Sequence, residues 1–157
     1  MPTAPFPEEK SRRFPFSSAA IDGTDADKRA ASGLRVLVAD DHPDAAATLA
    51  RLVGCWGHQV RTANQRQEIF DAAVMFRPHV LIIDLGLSRG AGGELISQLR
   101  ASRPQVRIWA LSVFDVSHPE LRLEGRFDAI LRKPVRASDL QDRLAAEAQD
   151  LIDGSPR

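Results

Sequence analysis

The chain has one cysteine, Cys55, among its 157 residues. That excludes an internal disulfide and any zinc site built on paired cysteines, and it fits a reducing compartment. Net charge is also missing: 21 Lys and Arg balance 21 Asp and Glu. There is no overall basic field to gather nucleic acid or an anionic membrane surface. No segment approaches the roughly 20 consecutive apolar residues needed to cross a bilayer. The N-terminus lacks the continuous apolar core of a secretory signal, because Pro2, Pro5, Pro7, Glu8, Glu9 and Lys10 interrupt it. The expectation is a cytoplasmic protein with neither nucleic acid nor membrane as partner.

What the chain does have is enough apolar content, 43%, to build the core of one ordinary domain. Residues 1–33 are rich in Pro, Ser, Ala and alternating charge and carry no period of 2 or 3.6. They read as a flexible extension, in which Arg12, Arg13, Phe14 and Phe16 form the one candidate docking segment. Residues 34–151 read as one domain and 152–157 as a short tail. On this reading no DNA-binding output region follows the domain.

From Leu34 onward strand and helix patterns alternate. Strands are expected over 34–39, 59–63, 80–84, 107–111 and 129–132. Helices are expected over 44–56, 65–76, 92–102, 117–125 and 137–151, the fourth of them weak. In the first helix Ala47, Leu49, Leu52 and Val53 are the apolar positions. In the last they are Leu140, Leu144 and Leu151. Cys55 and Trp56 read as core, and Arg100, Arg103 and Arg107 as solvated. Five strands alternating with five helices imply an α/β fold, a doubly wound five-stranded parallel sheet covered on both faces. In such sheets the functional crevice lies outside the carboxyl ends of the strands, at the switch in strand order.

Asp84 ends the apolar run Val80-Leu81-Ile82-Ile83, and Asp40 and Asp41 follow Leu34-Arg35-Val36-Leu37-Val38-Ala39. With the two strands as parallel neighbours, three carboxylates converge. They repel one another unless a cation joins them or one is protonated. Asp40, Asp41 and Asp84 are hard oxygen ligands that suit Mg²⁺. Lys133 follows the fifth strand and brings an ammonium to neutralise an oxyanion. Ser112 follows the fourth and brings a hydroxyl. Together these are the parts needed to receive a phosphoryl group on a carboxylate.

Four segments in order resemble the receiver domains of bacterial two-component response regulators. They are Val36-Leu37-Val38-Ala39-Asp40-Asp41; Val80-Leu81-Ile82-Ile83-Asp84-Leu85-Gly86-Leu87 with Gly92 and Glu94 beyond it; Ala110-Leu111-Ser112; and Phe127-Asp128-Ala129-Ile130-Leu131-Arg132-Lys133-Pro134. The resemblance covers residues 34–146 and implies the flavodoxin-like (βα)5 receiver fold. It implies Asp84 as phosphoacceptor, and Asp40, Asp41 and Asp84 as Mg²⁺ ligands with the backbone carbonyl of Gly86. It implies Ser112 as the switch hydroxyl, Lys133 as the cation paired with the phosphoryl group, and a cis peptide bond between Lys133 and Pro134. The implied donor is a phosphohistidine on a sensor histidine kinase or a histidine phosphotransfer protein. Output would pass to a downstream protein not named by the sequence, by contact or by relay.

The chain departs from the family pattern at four positions. Ser88 stands where proline is usual after the phosphoacceptor, and Ala91 where an acid is common. Val113 follows Ser112 where members usually carry Ala or Gly, narrowing access to Asp84. Ile130 occupies the switch position that usually holds Tyr or Phe. Val113 and Ile130 support an alternative on the same fold: a receiver-like interaction module that does not switch. An aspartate-nucleophile phosphatase would need an acid at Gly86. A flavin carrier would need a phosphate loop where the acidic segment Asp40-Asp41-His42-Pro43-Asp44 stands.

Overall fold

A computed structural model of the chain describes residues 33–87, 92–114 and 127–154. The extension 1–33 before Gly33, the expected fourth helix over 117–125, and Ser88 and Ala91 lie outside the described residues. Among the described residues there are five strands: β1 (Arg35–Ala39), β2 (Gln59–Ala63), β3 (Val80–Asp84), β4 (Arg107–Ser112) and β5 (Ala129–Arg132). The described helices are α1 (Pro43–Cys55), α2 (Arg66–Phe76), α3 (Gly92–Ser102) and α4 (Ala137–Ile152). All strand pairs are parallel, in the order β2-β1-β3-β4-β5. The order reverses between β1 and β3, so the switch point lies between them.

The inner strands β1, β3 and β4 bury both faces, which is why they are nearly continuous apolar runs rather than alternating patterns, whereas the edge strand β2 is largely exposed. All five residues of β3 are buried. Side-chain alternation splits the core into two layers. Val36, Val38, Ile82, Trp109 and Leu131 meet α1 and α4 through Ala46, Val53, Leu140 and Leu144. Leu37, Ala39, Leu81, Ile83 and Ile108 meet α2 and α3 through Ile69, Ala73, Leu95, Ile96 and Leu99.

Several expectations need correction. Ala46, not Ala47, is the inward alanine of α1, and Leu52 is exposed. Leu151 is half exposed near the end of α4. Cys55 is exposed, whereas Trp56 packs against the core. The arginines expected to be solvated have partners. Arg100 and Arg107 both reach Asp128, and Arg107 Nε donates to Glu147 at 3.0 Å. Arg103 donates to the carbonyl of Val74 at 3.1 Å. Element ends shift by a residue: Pro43 opens α1, Gln65 caps α2, β4 runs on to Ser112 and α4 runs on to Ile152.

Candidate functional site

Because the strands are parallel, their carboxyl ends share one edge of the sheet. β1 is followed by Asp40 and Asp41, β3 ends on Asp84, β4 ends on Ser112 and β5 is followed by Lys133. Ala39 and Ile83 are in register, so Asp40 and Asp84 leave adjacent strands side by side across the switch point. Asp40 is 4% exposed and Asp84 9%, so water screens these charges poorly.

One oxygen each of Asp40, Asp41 and Asp84, and a ring nitrogen of His42, lie within 4.8 Å of one another. Lys133 Nζ sits 3.0 Å from Asp84 Oδ1 and 3.7 Å from Asp40 Oδ2. One ammonium against three carboxylates leaves a net negative site. An oxygen-rich, negative donor set of this kind fits a hard divalent cation.

The surroundings hold these groups in place. The N–H of His42 donates to Asp40 Oδ1 at 2.9 Å, and Asn64 Nδ2 donates to the Asp40 carbonyl at 2.8 Å. His42 Nδ1 is 2.9 Å from Asp41 Oδ1 and 3.3 Å from Asp40 Oδ1. The Asp41 charge, then the contacts with both carboxylates, raise the imidazole pKa above its ordinary value. After β3, the Leu85 N–H donates to the Leu111 carbonyl at 2.9 Å and the Leu87 N–H to the Asp84 carbonyl at 3.1 Å. This tight turn brings Gly86 back against Asp84. A Cβ at residue 86 would lie 2.9 Å from Asp84 Oδ2, so glycine leaves that carboxylate its room.

Ser112 is 1% exposed, and its hydroxyl accepts the Phe114 N–H at 3.0 Å. The Ser112 carbonyl accepts the Lys133 N–H at 2.7 Å, tying the end of β4 to Lys133. The Lys133–Pro134 bond is cis. Ile130 pairs with Ala110 and is half-buried, and Val113 is 61% exposed.

A family model described as the response regulator receiver domain matches residues 36–145. The chain belongs to the response-regulator receiver family. Response regulator MprA of Mycobacterium avium is 31% identical over 114 residues, which cover 72% of this chain and 50% of that protein. The sensory/regulatory protein RpfC of Xanthomonas campestris is 32% identical over 117 residues, 71% of this chain and 16% of that protein. The chain therefore spans half or less of these curated relatives. Among solved structures, a receiver domain from Bermanella marisrubri is 27% identical with a TM-score of 0.63, covering 73% of this chain and 97% of that one. Chemotaxis response regulator CheY4 of Vibrio cholerae is 23% identical with a TM-score of 0.63, covering 73% and 98%, and shows the shared fold. Receiver domains are signalling modules of two-component phosphorelays, phosphorylated by histidine kinases or phosphotransfer proteins. No described helix is long and apolar enough to cross a membrane.

Sequence reasoning brought Asp40, Asp41, Asp84, Gly86, Ser112 and Lys133 to this edge, and all six are there. It placed His42 beside the acidic pair at the rim of the site, without a chemical role, and overlooked Asn64. Neither residue has a sequence signal beyond its place next to a strand end.

Proposed function

We propose that the domain accepts a phosphoryl group on Asp84 from a phosphohistidine and passes the signal on by protein contact or relay. The observation that carries this reading is the approach of Lys133 Nζ to within 3.0 Å of Asp84 Oδ1 inside a cluster of three carboxylates. An Asp84 oxygen attacks phosphorus, and the phosphorus–nitrogen bond of the phosphohistidine breaks. The electron pair returns to the imidazole nitrogen, and Asp84 becomes an acyl phosphate. Lys133 neutralises the oxygens that arrive, and the Ser112 hydroxyl exchanges its contact with the Phe114 N–H for one of them. Asp40, Asp41, Asp84 and the Gly86 carbonyl would hold Mg²⁺, which supplies charge neutralisation on the transferring group.

The test is transfer from a phosphorylated histidine kinase to the wild type and to Asp84→Ala. Label on the wild type and none on the variant supports the reading; equal label on both sinks it. A second reading, phosphorylation without switching, is favoured by Ile130 at the position where an aromatic side chain is usual. Beryllofluoride and Mg²⁺ separate the two in a two-dimensional NMR titration. Shifts that reach β5 and α4 mark a working switch, and shifts confined to the surroundings of Asp84 mark a module that does not switch.

A further inference from the structure

A cavity of about 370 Å³ opens at the opposite end of the sheet, before the strands begin. That volume falls within the roughly 300–1,000 Å³ of small-ligand sites. Arg35, at the start of β1, Arg77, before β3, and Arg103, before β4, line it. Pro78, Pro104 and Leu151 give it an apolar side. Glu147 is its one acid, and the Arg107 guanidinium already engages that carboxylate at 3.0 Å.

None of the three wall arginines has an acidic partner within ion-pair distance among the described residues. Arg35 and Arg103 donate to neutral carbonyls: Arg35 Nε to that of Arg77 at 2.8 Å, and Arg103 Nη2 to that of Val74 at 3.1 Å. Arg103 Nε is buried with no acceptor among the described residues. A buried charged donor left unmatched is costly. Arg77 holds a left-handed backbone, φ 51°. Glycine adopts that conformation more readily than arginine.

His79 completes the wall. Its Nδ1 accepts the Arg35 N–H at 3.0 Å, so the neutral ring carries its proton on Nε2 as a further donor. Burial first, and then the Arg35 charge, lower its pKa and keep the ring neutral. The cavity is thus lined by three arginines that have no acidic partner among the described residues, beside an apolar surface.

We propose that this cavity binds a small organic phosphate, the three guanidiniums taking the phosphate and the proline and leucine surface taking the organic part. A terminal phosphate has three oxygens to share among three guanidinium forks, whereas a carboxylate has only two. The cavity is a concave, half-open pocket of small-molecule size, and the balanced charge of the whole chain gives no overall basic field to hold a polymer. The assignment is independent of the chemistry at Asp84, which lies at the other end of the strands.

The test uses the full chain with EDTA present, so that the acidic site takes no part. Adenosine monophosphate, adenosine and inorganic phosphate are titrated at constant ionic strength while NMR follows the Nε–H signals of Arg35, Arg77 and Arg103. The expected result is a saturable shift with the monophosphate, a weaker one with inorganic phosphate and none with adenosine. Arg77→Gly, which suits the local backbone, and Arg103→Gln should each weaken binding on the order of tenfold. No saturable shift, or equal binding by these variants, overturns the proposal. Equal affinity for inorganic phosphate overturns its organic part. If Asp22→Asn/Asp25→Asn/Asp27→Asn moves the same signals without ligand, the chain's own acidic stretch occupies the cavity and the small-molecule assignment fails.

Discussion

Asp40→Asn should stabilise the protein when divalent cations are absent and should blunt its response when they are present. The carboxylates of Asp40, Asp41 and Asp84 bring oxygens within 4.8 Å of one another. At an effective dielectric of about 20, each pair at that distance repels by roughly 3.5 kcal/mol, so Asp40 meets roughly 7 kcal/mol from its two neighbours. Lys133, 3.7 Å away, offsets roughly 4.5 kcal/mol of this. The Asp41 side chain is 47% exposed and that of Lys133 30%. Solvent screening therefore trims the remainder to on the order of 1–2 kcal/mol. Asparagine keeps an oxygen to accept the His42 N–H, so that bond survives. Urea denaturation in EDTA should show the variant more stable by about 1–2 kcal/mol. With Mg²⁺ at about ten times its dissociation constant the wild type should gain about 1.4 kcal/mol and the variant clearly less. A variant less stable than wild type in EDTA, with an undiminished response to Mg²⁺, would refute the reasoning.

Three further perturbations test other parts of the account. His58 and His79 accept the N–H groups of Leu34 and Arg35, and burial lowers both imidazole pKa values below 6.5. Their contribution is present above that value and is lost as pH falls through the depressed folded values. Denaturation at pH 7.5 and 5.5 (about one unit either side of the free imidazole value) should show this loss, and His58→Asn/His79→Asn should lessen it; an unchanged pH slope in the double variant counts against it. Gly86→Ala pushes a methyl group against Asp84 Oδ2 and should slow phosphorylation on the order of tenfold, read by phosphotransfer kinetics; wild-type kinetics would remove the crowding argument. Asp128→Ala strips the acceptor from the Ile108 N–H, which lies 2.7 Å from Asp128 Oδ2. Urea denaturation should show a loss of about 1–3 kcal/mol, most of it restored by Asp128→Asn; no loss would mean the N–H finds another partner.

Most of the fold and the site could be read from residue order because both depend on strands. A buried parallel strand announces itself as a short aliphatic run. Asp84 closes such a run, and Asp40, Asp41 and Lys133 stand just past two others, so locating the strands also locates the chemistry. What stayed hidden depends on contacts between elements. Asp128 looks like a loop acid, yet it clasps Arg100, Arg107 and the backbone of β4. His79 lacks any metal-ligand spacing, and its role is to accept a backbone N–H at the start of β1. Helix faces were less legible than strands. Ala46 and Ala47 are chemically identical neighbours, and only the packing of α1 on the sheet decides which one is buried.

The central claim is that Asp84 is the phosphoryl acceptor, and borohydride trapping tests it most directly. An acyl phosphate on an aspartate is reduced by borohydride to the alcohol with release of phosphate, which converts the residue to homoserine. After incubation with a phosphorylated histidine kinase and reduction, peptide mass spectrometry should find homoserine at position 84 and nowhere else. Homoserine at Asp40 or Asp41, or an unmodified Asp84 beside a kinase that has lost its phosphoryl group, would contradict it.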